Sequence, residues 1–197
     1  MRTQIGILIL LLSLVSWQCS RRNDGKTDYT QEDFITASYL DYQDSLVNSW
    51  NLMISDDNEK LAALHQLLAE LRAVEVENQP QLIRFENRLA QLRRIRYTQK
   101  SMSNADVIEE YDFASTTLVR EIVSTAEMST AFSDNIILQQ LVEQIRMAEE
   151  RVENYRADYD DLVAHYNTFL DANKTYLGQV SRDSLTKKPR FELVSIQ

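Results

Sequence analysis

The residue with the sharpest chemistry in this sequence is Cys19, its only cysteine. It closely follows an apolar run over residues 5–15 that only Gly6 and Ser13 interrupt and that Arg2 precedes. A positive start, a short apolar core and a thiol at its end are the parts of an export signal whose cysteine receives a diacylglycerol group. The run is shorter than the roughly 20 apolar residues of a membrane span. Ser16 suits the small residue such signals carry before the cysteine, while Trp17 and Gln18 are bulkier than usual. Other reactive residue types form no motif. His65 and His165 have no metal-ligand companion at helical spacing, and no His-Glu-x-x-His occurs. Gly6, Gly25 and Gly178 are isolated, so no phosphate-cradling loop is expected. Glu149, Glu150, Glu153, Asp158, Asp160 and Asp161 read as a solvated helix face rather than an acid/base pair or cation site. The expectation is no catalytic residue, no metal and no cofactor.

Two further groups could serve binding. Tyr155, Tyr159, Tyr166 and Asn167 lie along one helical stripe, as core packing or as a groove for a partner helix or ligand. Arg84, Arg88, Arg93, Arg94, Arg96 and Lys100 face Glu86 alone within one short segment. They form either a basic helix that orders itself beside acidic neighbours or a surface for anionic lipid or an acidic partner. The whole chain is acidic, with a net charge of −9, which argues against nucleic acid as a partner.

Elements that would position these residues follow from composition and period. Three glycines and two prolines in 197 residues leave too few turn formers for hairpins and favour long helices. Leu138, Leu141, Ile145, Ala148, Val152, Tyr155, Tyr159, Leu162, Tyr166 and Phe169 alternate spacings of three and four, a heptad seam that another helix must cover. A similar seam, Ile35, Tyr39, Tyr42, Leu46, Trp50, Ile54, Leu61, Leu64, Leu68 and Leu71, is broken at Asp57. Residues 55–58 are expected to be a kink or an exposed wet point on one long helix, and the surviving register favours one helix over about 31–77. Thr30 with Asp33 resembles a capping box, Pro80 suits a first helical turn, Ser103 with Asp106 marks a third start, and Ser133 and Asp134 open a fourth. The reading is an all-α, antiparallel up-down-up-down helical bundle with long first and fourth helices. Residues 1–18 are the signal peptide, 19–29 the lipidated N-terminus and a polar tether, 30–177 the bundle, and 178–197 a tail. The tail mixes Lys187, Lys188 and Arg190 with Phe191, and is expected to be unstructured or to lie on a membrane surface.

Glu149-Glu150-Arg151-Val152, then Arg156, Tyr159, Val163 and Tyr166-Asn167, resemble the signature helix of the LemA family, with its Tyr-Asn pairs seven residues apart. Tyr159-Asp160 replaces the first pair with Asp in place of Asn, and residues 187–192 resemble the family's closing stretch. The chain departs from that pattern where Leu61-Ala62-Ala63-Leu64 lacks the proline of the first-helix motif, and where Asn173-Lys174 replaces Phe-Pro. The resemblance implies a helical bundle facing away from the cytoplasm and no reaction. The expected role is a membrane-anchored lipoprotein of the cell envelope, on the outer membrane or periplasmic face. It would be a non-enzymatic scaffold with an envelope protein partner and open to homo-oligomers. The alternative is an envelope hydrolase or metal-dependent enzyme, with His65 or His165 meeting carboxylates of another helix in a pocket.

Overall fold

A computed structural model describes residues 30–75, 78–180 and 185–191. The signal segment and Cys19 lie outside the described residues. The chain divides into two compact units, 1–34 and 35–197. Of the first, residues 30–34 are described, and they form the expected capping box. The Thr30 amide donates to Asp33 Oδ2 at 3.0 Å, and the Asp33 amide donates to Thr30 Oγ1 at 3.2 Å. These bonds satisfy two amides that a bare helix start leaves unpaired.

Four helices account for the secondary structure of the described residues, α1 (Gln31–Val74), α2 (Gln79–Ile95), α3 (Ala105–Met128) and α4 (Ile136–Val180), and no strand occurs among them. They form the all-α bundle expected, with long first and last members. Its alternation is legible from side-chain pairs. Along α1, Thr36, Gln43, Asp56 and Lys60 meet Tyr176, Tyr166, Arg151 and Glu149 of α4, so the two helices run in opposite directions. Arg96 meets Asp57 while Glu86 meets Arg72, which sets α2 antiparallel to α1. Asp112–Arg156 and Glu127–Arg146 do the same for α3 and α4. None of the described helices is long and apolar enough to cross a membrane.

Helix starts differ from expectation at two places, for one reason. The third helix is capped by Asn104, whose Oδ1 accepts from the Asp106 amide at 3.1 Å, and not by Ser103. The fourth is capped by Asn135, whose Oδ1 accepts from the amides of Ile137 and Leu138, and not by Ser133 or Asp134. Asparagine reaches the first free amides as well as serine or aspartate does, and here it stands one residue nearer the helix. Pro80 does sit in the first turn of α2. That helix ends at Ile95, and residues 98–102 make turns held by Thr98 and Ser101.

The core is one cluster along the bundle. Leu61, Leu64, Leu67, Leu68 and Leu71 of α1 join Leu82, Phe85, Leu89 and Leu92 of α2, Leu118 and Ile122 of α3, and Leu138, Val142 and Ile145 of α4. At the middle this leucine packing gives way to charge.

Candidate functional site

Residues 55–58 are not a kink, and while Ser55 and Asn58 are exposed, the two aspartates between them are not. α1 passes through them unbroken, and Asp56 and Asp57 are only 6% and 5% exposed. Asp57 lies seven residues after Trp50 and seven before Leu64, and Lys60 lies seven after Met53 and seven before Leu67. Both therefore stand on the buried seam itself. A carboxylate there persists only if cations and donors surround it. Lys60 Nζ lies 3.3 Å from Asp57 Oδ1 and 2.7 Å from Glu149 Oε1. Tyr111 donates to Asp57 Oδ2 at 2.7 Å, and Arg96 Nη1 reaches the same oxygen at 3.1 Å. Arg151 holds Asp56 through Nε at 2.8 Å. One layer thus draws on α1, α3 and α4 and on the start of the α2–α3 connection.

Electrostatics of the layer follow from this crowding. Burial pulls the Lys60 pKa down, but Glu149 and Asp57 outweigh it and hold the ammonium above the ordinary lysine value. Tyr111 is pushed well up, by burial first and by the Asp57 charge second. Beside the layer, Arg156 grips Asp112 with two bonds of 2.7 and 2.6 Å and donates to the Tyr97 hydroxyl at 3.0 Å. A polar cavity of about 240 Å³ lies among Lys60, Tyr97, Asp112, Ser115, Glu149 and Arg156. Lys60 Nζ donates to Ser115 Oγ at 3.4 Å in this cavity.

The Tyr-Asn stripe receives the chain's own tail. Tyr159 and Tyr166 are buried, and Tyr155 is half-buried. Burial, with the Asp160 charge second, raises the Tyr159 pKa to about 12. Asn167 donates from Nδ2 to the Lys188 carbonyl at 3.0 Å and accepts from the Lys188 amide at 2.9 Å. Asp160 accepts from the Phe191 amide at 2.7 Å. Phe191 packs edge-on to Tyr97 and Tyr159, with the Arg156 guanidinium 4.9 Å above its ring. The described part of the tail, 185–191, is therefore packed along α4 rather than standing apart from the bundle. The expected solvated face of six carboxylates is broken at two of them, because Glu149 pairs with a buried lysine and Asp160 serves a buried amide.

The basic group is divided by the fold. Arg96 turns inward to Asp57 and Asn58. Arg88 pairs with Glu121 of α3, in keeping with the bundle-ordering reading. Arg84 and Arg88 line an open groove between α2 and α3 with Arg120, Phe85 and Met128, of about 630 Å³. Arg93, Arg94 and Lys100 are exposed. His65 is exposed and lines a groove with Glu86, whose carboxylate is already held by Arg72 at 2.9 Å. His165 is exposed on α4. Among the described residues no cluster of His, Cys, Asp and Glu could hold a metal ion.

Sequence reasoning missed Lys60, Glu149 and Tyr111 as a connected set around Asp57, and Asp160 as the acceptor for the Phe191 amide. The available signal was the seam, since counting sevens from Met53 and Trp50 lands on Lys60 and Asp57 and demands partners for both. No family model, characterised protein or solved structure matches the chain.

Proposed function

We propose that this chain is a lipid-anchored helical module of the cell envelope that acts by binding, a divergent member of the LemA family held to its membrane through an acylated Cys19. Two or three acyl chains hold a protein firmly, at about 0.8 kcal/mol per buried methylene. The observation that carries the binding reading over the hydrolase alternative is the state of Lys60. A lysine beside a serine hydroxyl activates it only when neutral, and Glu149 and Asp57 keep this ammonium charged. His65, the other base offered by the alternative, faces a carboxylate already engaged by Arg72. Arg84, Arg93 and Arg94 of α2 and Lys100 stay exposed in an acidic chain, suited to an acidic envelope protein.

The test is the mass of the mature N-terminus in membranes of cells expressing wild type and Cys19→Ala. A diacylated or triacylated Cys19 peptide that disappears in the variant is expected. An unmodified N-terminus at another position would remove the anchor and with it the envelope reading.

A further inference from the structure

The open groove between α2 and α3 gathers like charges. Arg84 and Arg88 line it from α2 and Arg120 from α3, and Glu121 is the one carboxylate among the described residues along it. Arg88 pairs with Glu121. Among the described residues, Arg84 and Arg120 have no such partner. Their own helices offer none either. The positions three and four residues away hold Pro80, Gln81, Asn87 and Arg88 around Arg84, and Thr116, Thr117, Val123 and Ser124 around Arg120. Arg120 is also the one basic residue of α3, an otherwise acidic helix. Charge that served only to order the bundle would turn it away from basic α2, yet it lines the same groove as Arg84 and Arg88. Three guanidinium groups against one carboxylate leave two positive charges there, in a chain whose net charge is −9. An anion held between them offsets their repulsion.

The class of anion follows from charge and shape. A phosphate monoester carries a charge of about −1.5 to −2 at neutral pH, close to the surplus of the groove, and a carboxylate carries only one. The planar fork of a guanidinium group matches phosphate oxygens in pairs. Further donors stand in the same lining. The Ser124 hydroxyl makes only a weak contact of 3.8 Å with Met128 Sδ, and the Gln81 amide is close by. The groove measures about 630 Å³, more room than a phosphate group fills, and Met128, 81% exposed, offers apolar surface to the rest of an ester.

We propose that the α2–α3 groove is a binding site for an organic phosphate monoester, whose phosphate is held by Arg84 and Arg120 with Arg88 beside them and whose apolar part lies against Met128. A soluble ester and the headgroup of a phosphatidic acid present this same group. The site rests on the binding role proposed above but not on acylation of Cys19, and Arg93, Arg94 and Lys100 lie outside it.

The test is calorimetric titration of the full chain, purified in a neutral detergent, with phenyl phosphate. One equivalent is expected to bind, more weakly as salt is raised. Arg84→Gln and Arg120→Gln should each weaken binding roughly tenfold or more, the effect of losing one charge-assisted contact. Arg93→Gln, on α2 but outside the groove, should leave it unchanged. Arg84 and Arg120 are exposed and make no ion pair, so circular dichroism should show both variants folded. Absence of binding to the wild-type chain would overturn the proposal. So would an equal loss in Arg93→Gln, which would reduce the effect to general charge, or benzoate binding as tightly as phenyl phosphate, which would remove the preference for phosphate. Glycerol phosphate, and phosphatidic acid carried in the same detergent, then separate the two sources. Binding of glycerol phosphate marks a soluble ester, and binding of the lipid alone marks a headgroup.

Discussion

Lys60 is 3% exposed and lies within reach of two carboxylates, a serine hydroxyl and, through Asp57, a tyrosine and an arginine. Removing one partner of such a group leaves the others charged and dry. Lys60→Met should therefore cost about 3–5 kcal/mol, although methionine fits the space and suits the leucines around it. Urea unfolding followed by circular dichroism measures this, and a loss below about 1 kcal/mol, the worth of an exposed pair, would show the layer to be hydrated. The existence of a polar position at 57 was readable in the sequence as a break in the seam. Its burial was not, because its partners Arg96 and Tyr111 and the Lys60 partner Glu149 lie 39 to 89 residues away. No local pattern connects residues at that separation. Asn167 was readable only as a member of a Tyr-Asn pair, since its partner is a backbone unit and carries no signature of its own.

At the scale of elements, periodicity did most of the work. Two seams of alternating threes and fours predicted two long helices, and both exist as single helices of 44 and 45 residues. The ends were less legible, because serine, aspartate and asparagine are near-equal caps and each start offered several in a row. The geometry now selects one at each place. Asn135 serves two amides of α4, so Asn135→Ala should destabilise the protein by about 1 kcal/mol, while Ser133→Ala should change it by a few tenths at most. Thermal or urea unfolding of the two variants distinguishes them, and equal effects would mean that the cap assignment is wrong. The tail was misread for an instructive reason. Its composition of lysines, arginine and proline looks like that of a free or surface-bound strand, yet four main-chain hydrogen bonds and one ring hold it to α4. Backbone bonds leave no trace in composition.

For the molecule as a whole, the buried phenols and Lys60 act together on pH. Tyr97, Tyr111, Tyr159 and Tyr166 all have raised pKa values, with burial the leading cause, and that of Tyr159 reaches about 12. Lys60 is raised as well. Each group holds its proton more tightly folded than unfolded, so unfolding releases protons above the unfolded values of about 10 for tyrosine and about 10.4 for lysine. Their contribution is full at neutral pH and is lost as pH climbs through the folded values. The urea midpoint should therefore fall steadily from about pH 10 towards 12. Midpoints measured across that window test this, with phenolate absorbance as a second readout. A flat midpoint would mean that the phenols titrate freely and are not sealed in the bundle.

Long helices with repeating leucines share a weakness of any ruler with identical marks, which is that a shift by one whole division looks almost the same. Sliding α1 along α4 by a heptad, about 10 Å at 1.5 Å per residue, would set leucines against leucines again. The charged layer is a mark that differs. Such a shift would carry Lys60 away from Glu149 and Asp56 away from Arg151, stranding charges inside the bundle on both helices. The same few residues that interrupt the apolar pattern thus tell the repeating parts where to stop.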